Sequence, residues 1–400
     1  MSKNRKFIFE LTAAILAITP AVSIAAVNAT SVAAKAVNNG QGKLRLIHNA
    51  YLYNKKGQRL WSYQGQKAFF RKNTAPIKFA DKAKPITDPT NYKYSFHDDK
   101  WNWFYLPWKT IEGKKYYSVG HGAYIKVANV DGINGQQTLY KNSGSATAIG
   151  KAPITNQYLQ LTGKYLKKGQ KIILDRETSD EDLIETITSG GNSATTFYRI
   201  KGTNNFVADG WFKLKFGQAL LPYSNYPQIN INVNSDLYDI NGNKIPGEYQ
   251  FIGKDHENHV DELIYIWVPS EHRAELFYRT KLTDPAPQGF FKASGTSYMY
   301  GIKLQPVNTA EEAQADIRTA TAADKEELTK ALNKYSLFKD TPVYIKGDIY
   351  AKQQYDNAVS EATTALNSNT VSVAAVKQAT WSLEKAVQRL NELANRLTEK

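Results

Sequence analysis

The run Leu46-Ile-His-Asn-Ala-Tyr-Leu-Tyr-Asn-Lys-Lys-Gly-Gln-Arg59, taken with Lys114-Lys-Tyr-Tyr-Ser-Val-Gly-His-Gly-Ala-Tyr-Ile-Lys-Val-Ala-Asn129, decides how this chain folds. Apolar and polar residues alternate in both runs, which is the period of a strand with one face on a core. Gly57 follows Leu52-Tyr53 where a hairpin turn requires a positive φ, a conformation glycine adopts without steric cost. The same opening recurs as Leu139-Tyr140 before Gly144 and Leu237-Tyr238 before Gly242. An aromatic pair follows each: Tyr116-Tyr117, Phe197-Tyr198 and Phe277-Tyr278. Each copy closes on an alternating triplet, Ile125-Lys126-Val127, Phe212-Lys213-Leu214 or Ile302-Lys303-Leu304. This order predicts three copies of a small β unit. In each, one ring of the pair should face the core and the other solvent, with the closing Lys pointing out. The insertion from Asp81 to Trp108 is expected to be a surface loop.

Outward from these runs, the chain divides into two regimes. Residues 44 to about 305 are rich in Tyr, Trp, Gly, Asn and Lys and broken by turn signals, which reads as all-β. From Thr309 the composition shifts to Ala, Gln, Glu and Leu. Val373, Val376, Ala379, Leu383, Val387, Leu390, Leu393 and Leu397 fall at steps of three and four, one apolar face of a helix that Ser372 would cap. Tyr355, Ala358, Val359, Ala362 and Leu366 make a second such face, and Leu328, Ala331 and Leu332 a third, which Asp324 and Glu327 would open. Thr309 with Glu312 suggests a further connecting helix. The expected fold is multidomain and mainly β, tandem small β-barrel-like repeats followed by a C-terminal three-helix bundle. The segments are 30–131, 132–225, 226–308 and 309–400, after a leader at 1–29.

That leader has Lys3, Arg5 and Lys6 before the short apolar run Leu11–Ile18, with Ala-x-Ala-like sites near Ala25 and Ala29, the pattern of a secretory signal peptide. The run is too short to span a bilayer. The 400 residues contain no Cys, so disulfides, thiolate metal sites and a Cys nucleophile are excluded. Stability must come from packing, a habit of secreted Gram-positive proteins. No hydrophobic segment with a basic tail stands near Lys400, so attachment to a cell is expected to be non-covalent. The formal charge of +14 points to an anionic partner, and secretion argues against nucleic acid. Residues 30–131 hold 18 basic and 6 acidic residues, so the positive charge is local to the first unit.

The two opening runs resemble the bacterial surface-layer protein (SLAP) domain of lactobacilli, and the aromatic insertion between them departs from that pattern. The resemblance implies non-covalent binding to anionic wall polymers such as teichoic acids. Residues from about Lys325 to Leu393, notably Tyr355-Asp-Asn-Ala-Val-Ser-Glu-Ala and Val376-Lys-Gln-Ala-Thr-Trp-Ser-Leu-Glu-Lys-Ala, resemble the "found in various architectures" (FIVAR) helical repeat, loosely linked to adhesion.

Candidate polymer-binding residues are Arg45, Lys55, Lys56, Arg59, Lys114, Lys115 and Lys126, framed by Tyr53, Tyr117 and Tyr124. A row of lysines suits repeated phosphates as a basic groove suits a nucleic-acid backbone. Trp101, Trp103 and Trp108 are read as a second core over the β unit or as a stacking platform for sugar rings. No catalytic residue, metal or cofactor is expected. His256-Glu-Asn-His259 has the wrong spacing for a metalloprotease helix, Asp239–Asn243 fits a hairpin turn better than a calcium loop, and no Gly-x-Ser-x-Gly occurs. The expected role is that of an S-layer or, preferably, S-layer-associated wall protein, with other S-layer or host surface proteins as further partners. The alternatives are an adhesin acting through its helical tail and, less favoured, a wall glycan hydrolase with dispersed carboxylates.

Overall fold

A computed structural model describes residues 42–72, 77–140, 143–184, 195–215, 219–247, 251–280 and 288–394. The leader, Lys141, Asn142 and Leu397 lie outside the described residues. Among the described residues, no helix is long and apolar enough to cross a membrane.

The chain is mainly β with helices at its C-terminal end. In the first unit a four-stranded sheet runs in the order Gln136–Gln137, Val130–Ile133, Lys43–Leu46, Ile77–Lys78. A five-stranded sheet runs Lys109–Ile111, Lys114–Gly120, Ala123–Lys126, Ala50–Tyr53, Phe69–Phe70. Leu44, Leu52, Tyr117, Ile125 and Ile133 share the core of this unit. The second unit is a seven-stranded sheet built between Gly144 and Leu214, and the third a five-stranded sheet around the long hairpin Glu257–Val268 and Arg273–Thr280. The expected barrels are corrected to open sheets. Among the described residues each sheet ends in two edge strands and does not pair first strand with last, as closure requires.

The hairpin turn repeats, but not wholly where the Leu-Tyr spacing put it. At Asn54 the backbone N–H donates to the Gln58 carbonyl, Gly57 donates back to the Asn54 carbonyl, and Asn54 Oδ1 accepts the N–H groups of Lys56 and Gln58. Gly57 has a φ of 79°. This is a three-residue loop, a type I turn followed by a left-handed residue. The same bonds surround Asp239, with Gly242 at 74°. Gly144, however, lies inside strand Gly144–Ala148, paired with Leu174. The second unit makes this turn at Asn156–Gln160, with Leu159 at a φ of 57°. A fourth copy stands at Asp98–Asn102, with Trp101 at 59°. A side chain at such a φ costs roughly 1–2 kcal/mol. Leu159 offsets this by burial against the helices, and Trp101 by stacking on His97 with centroids 3.7 Å apart.

Other expectations are also corrected. Tyr116 and Tyr117 are both buried, as are Phe197 and Tyr198, while Tyr278 beside buried Phe277 is half-buried. Adjacent strand residues face opposite sides, so at the two fully buried pairs both faces of the sheet are locally covered. Phe197 packs toward the helices and Tyr198 into the second unit's own core. Ile125 and Val127 are buried around Lys126 as expected, but Ile302-Lys303-Leu304 falls after strand Thr296–Tyr300 in irregular chain. The aromatic insertion is no loop: Lys84–Ile86, Tyr94–His97 and Trp103–Tyr105 form a sheet completed by Leu139–Tyr140 and Ala219–Leu220.

The bundle consists of α1 (Glu326–Tyr335), α2 (Ile349–Asn367) and α3 (Val373–Leu393). The sequence-derived faces of α1 and α2 turn inward with Leu328, Ala331, Tyr355, Ala358 and Ala362 buried, and that of α3 is buried from Val373 to Leu393. Ser372 caps α3 by accepting the Ala375 N–H. Thr309 and Glu312 form a capping box on a short helix, Ala310–Ala315. Asp324 does not open α1. It pairs with Arg318 at 2.7 Å and accepts the Thr321 N–H, and a 3-10 turn intervenes before Glu326. The bundle shares its core with Leu159, Leu183, Phe197 and Phe206 of the second unit.

Candidate functional site

The outer face of the first unit's five-stranded sheet is built by alternation. Ala50, Leu52, Ala123 and Ile125 are buried inward, so Tyr51, Tyr53, Tyr124 and Lys126 take the opposite face. Antiparallel register extends the face sideways. Lys109 lies opposite Tyr116, Tyr116 opposite Lys126, Tyr124 opposite Tyr53, and Tyr51 opposite Phe69. Directly opposed residues share a face and touch.

The result is a strip of cations held over aromatic rings. Lys126 Nζ stands 4.8 Å from the Tyr53 centroid and Lys109 Nζ 5.5 Å from that of Tyr124. The Arg59 guanidinium lies 3.3 Å above Tyr51 and 5.1 Å from Trp61. Each such contact contributes about 0.5–1 kcal/mol at an exposed site, enough to orient a cation without neutralising it. Tyr53 meets Tyr116 edge-on, and burial pushes the Tyr116 hydroxyl pKa up despite Lys126 beside it. Trp61 is 80% exposed, held out by a tight hairpin whose turn residues Gln64 and Gly65 both have positive φ.

The structure therefore gathers four of the sequence candidates, Arg59, Lys126, Tyr53 and Tyr124, on one face. Lys55 and Lys56 are exposed in the turn that follows Tyr53, and Lys114 is exposed at the outer hairpin. Lys115 belongs to the opposite side, 3.9 Å over Trp108, where burial and Lys93 lower its pKa. Tyr117 is a core residue, its hydroxyl raised by burial. Arg45 lies on the other sheet, 3.0 Å from Asp131. Sequence reasoning passed over Tyr51, Trp61, Phe69 and Lys109. The alternation through Tyr51 and Tyr53 carried the first, but Lys109 needed the register of a partner strand.

Trp101 and Trp103 of the insertion dock the first unit on the third. Trp103 is 3% exposed, and its indole N–H donates to the Met299 carbonyl at 3.0 Å. Trp101 donates to Glu257 Oε1 at 3.0 Å and stands 5.8 Å from Tyr300. Trp108, half-buried, packs on the first core. Trp103 thus has no face to offer a sugar, and Trp101 is engaged on both its face and its N–H.

A protein family matches part of this chain. Residues 35–94 and 99–128 match the family model described as the surface layer protein A domain. The match runs through the aromatic insertion apart from 95–98. No curated protein matches the chain.

Proposed function

We propose that the surface layer protein A domain of this chain holds a secreted protein on a Gram-positive cell wall, its basic aromatic face binding an anionic wall polymer of the teichoic acid kind. The single observation that carries this reading is the strip Lys109, Lys126 and Arg59 over Tyr124, Tyr53 and Tyr51. Cations held over rings keep their charge, and a phosphodiester or uronate polymer meets several at once. The polymer's sugars can pack on Trp61 beside Arg59. The role is binding, not catalysis, and the protein serves as an S-layer or S-layer-associated component. Purified mature protein should bind native walls, lose binding when teichoic acid is stripped, and be released at about 1 M salt, where screening is nearly complete. Retention on walls in concentrated lithium chloride, with release only on wall digestion, overturns the proposal.

One observation favours the adhesin reading as a complement. Leu337 and Ile349, each 72% exposed, and Ile345, 60% exposed, leave an apolar tip on the bundle. Because the bundle shares its core with the second unit, deleting it would unfold more than the tail. Charge substitutions such as Ile349→Lys, with wall binding and adhesion measured side by side, are the proper test.

A further inference from the structure

The near-neutral sum of the second unit hides a segregation of charge. Residues 132–225 carry 11 basic and 7 acidic residues, and all seven carboxylates fall within 175–185 or at Asp209. Some are used up inside the protein. Arg199 donates to both oxygens of buried Asp175 at 2.9 and 3.1 Å, and Asp182 accepts from Ser179 and from Tyr300 of the third unit. The lysines take another side.

On the seven-stranded sheet Ala146, Ala148, Ile172, Leu174 and Phe212 point into the core, so their alternate neighbours form the opposite face. Strand register arranges that face in rows. Thr147 lies opposite Lys171 on one partner strand and Lys213 on the other. One row along, Ile173 lies opposite Ser145. The Lys201 N–H donates to the Ile173 carbonyl and the Lys215 N–H to the Ser145 carbonyl, which puts both lysines in that row. On the other side the Ile149 N–H donates to the Trp211 carbonyl and sets these two in a third row. All four lysines, with Ile149, Ile173 and Trp211, are exposed. Among the described residues none of the four lysines has an ion pair, and Lys201 gives one N–H to Ser143 Oγ at 3.3 Å.

Neighbouring rows on one face are two residues apart, roughly 7 Å. Compact ammonium groups at that step suit oxyanions repeated along a chain. Lysine meets phosphate as a point charge, whereas a carboxylate pairs best with the planar fork of arginine. Trp211, Lys213 and Lys215 stand in line on the edge strand Phe212–Leu214 and its continuation, so a polymer lying there meets an indole and two cations in turn. The row of Lys171 and Lys213 separates Ile173 from Ile149 and Trp211, so the apolar side chains do not merge into one patch that a bilayer could receive.

We infer that this face is a second binding surface, for a linear phosphodiester polymer. The inference rests on the reading of the partner as an anionic polymer, but on residues outside the segment that matches the surface layer family. The test is titration of the mature chain with medium-chain inorganic polyphosphate at several salt concentrations. A first-unit variant, Arg59→Gln with Lys109→Gln and Lys126→Gln, should still bind and should still shift the Trp211 indole N–H resonance, identified by its loss in Trp211→Phe. Adding Lys171→Gln, Lys201→Gln, Lys213→Gln and Lys215→Gln should weaken the remaining binding roughly tenfold or more and lower its salt slope by up to about 3. Adding instead Gln at four exposed lysines of the helical region, Lys330, Lys334, Lys339 and Lys346, removes the same charge and should change it by less than about twofold. Loss of all binding in the first-unit variant overturns the inference and leaves the first-unit reading standing. Wild-type affinity in that variant, lost on the second-unit change, supports this face and sinks the first-unit reading. Residual binding that the second-unit change leaves intact overturns the inference, as does an equal loss from the helical lysines. So does binding to phosphatidylglycerol vesicles that polyphosphate fails to displace.

Discussion

Two regions of this molecule set a cation against an aromatic ring, and they use it oppositely. On the first unit Lys126 lies over Tyr53 and Arg59 over Tyr51 at an exposed sheet face. In the third unit Arg279 lies over Trp381, but it is buried, clamped by both oxygens of Asp261 at 2.8 and 2.7 Å and bonded to Ser382. Arg279 spends its charge inside the protein and joins the β unit to α3, whereas on the proposed reading Lys126 and Arg59 keep theirs for a partner. A cation–π contact therefore says little about binding until the carboxylates around it are known.

The largest effect should come from breaking the buried member. Arg279→Ala leaves Asp261 and Glu262 unpaired and should cost about 3–5 kcal/mol in denaturant unfolding. Wall binding per folded molecule should stay the same. If the variant keeps wild-type stability, the buried cluster is not a structural lock.

Glu262 sharpens the contrast next. Burial pushes its carboxyl up to about 7, against the pull of Arg279. A carboxyl raised in the folded state favours folding at low pH. That contribution is complete below the unfolded value near 4.5 and is lost as pH rises through about 7. Its size is on the order of a few kcal/mol. Glu262→Gln should flatten the fall in stability between those limits, as read by unfolding at several pH values.

On the exposed member, the combined change Arg59→Gln, Lys109→Gln and Lys126→Gln should weaken wall binding by roughly ten- to a hundredfold and lower its salt slope. Stability should change by only about 1–2 kcal/mol, the sum of a few exposed contacts. A triple variant that unfolds more readily than Arg279→Ala would reverse the comparison. The smallest effect lies in the turn beside this face. Gly57→Ala forces a side chain into positive φ within 3.1 Å of Ile111 and should cost about 1 kcal/mol.

The turns also show how much of the fold was legible. The openings at Leu52 and Leu237 were read correctly, because Asn or Asp before a glycine carries the turn's bonds in a few adjacent residues. The copies at Asp98 and Asn156 went unseen, because Trp101 and Leu159 stand where a glycine was sought. Of the candidate site, alternation revealed Tyr53, Tyr124 and Lys126, yet it also nominated Tyr117. Alternation shows which residues share a face but not that a second layer covers the other face.

By itself, then, the sequence determined what depends on near neighbours. These are the strand period, the helical faces of α2 and α3, the change of regime at Thr309, and a concentration of positive charge in the first unit. Tertiary structure alone decided which lysines stand together and which aromatics are core. Those outcomes depend on strand register and on layers contributed by residues far apart in the chain. The left-handed Leu159 or the buried Arg279 is tolerated only because distant partners supply the contacts that offset its cost.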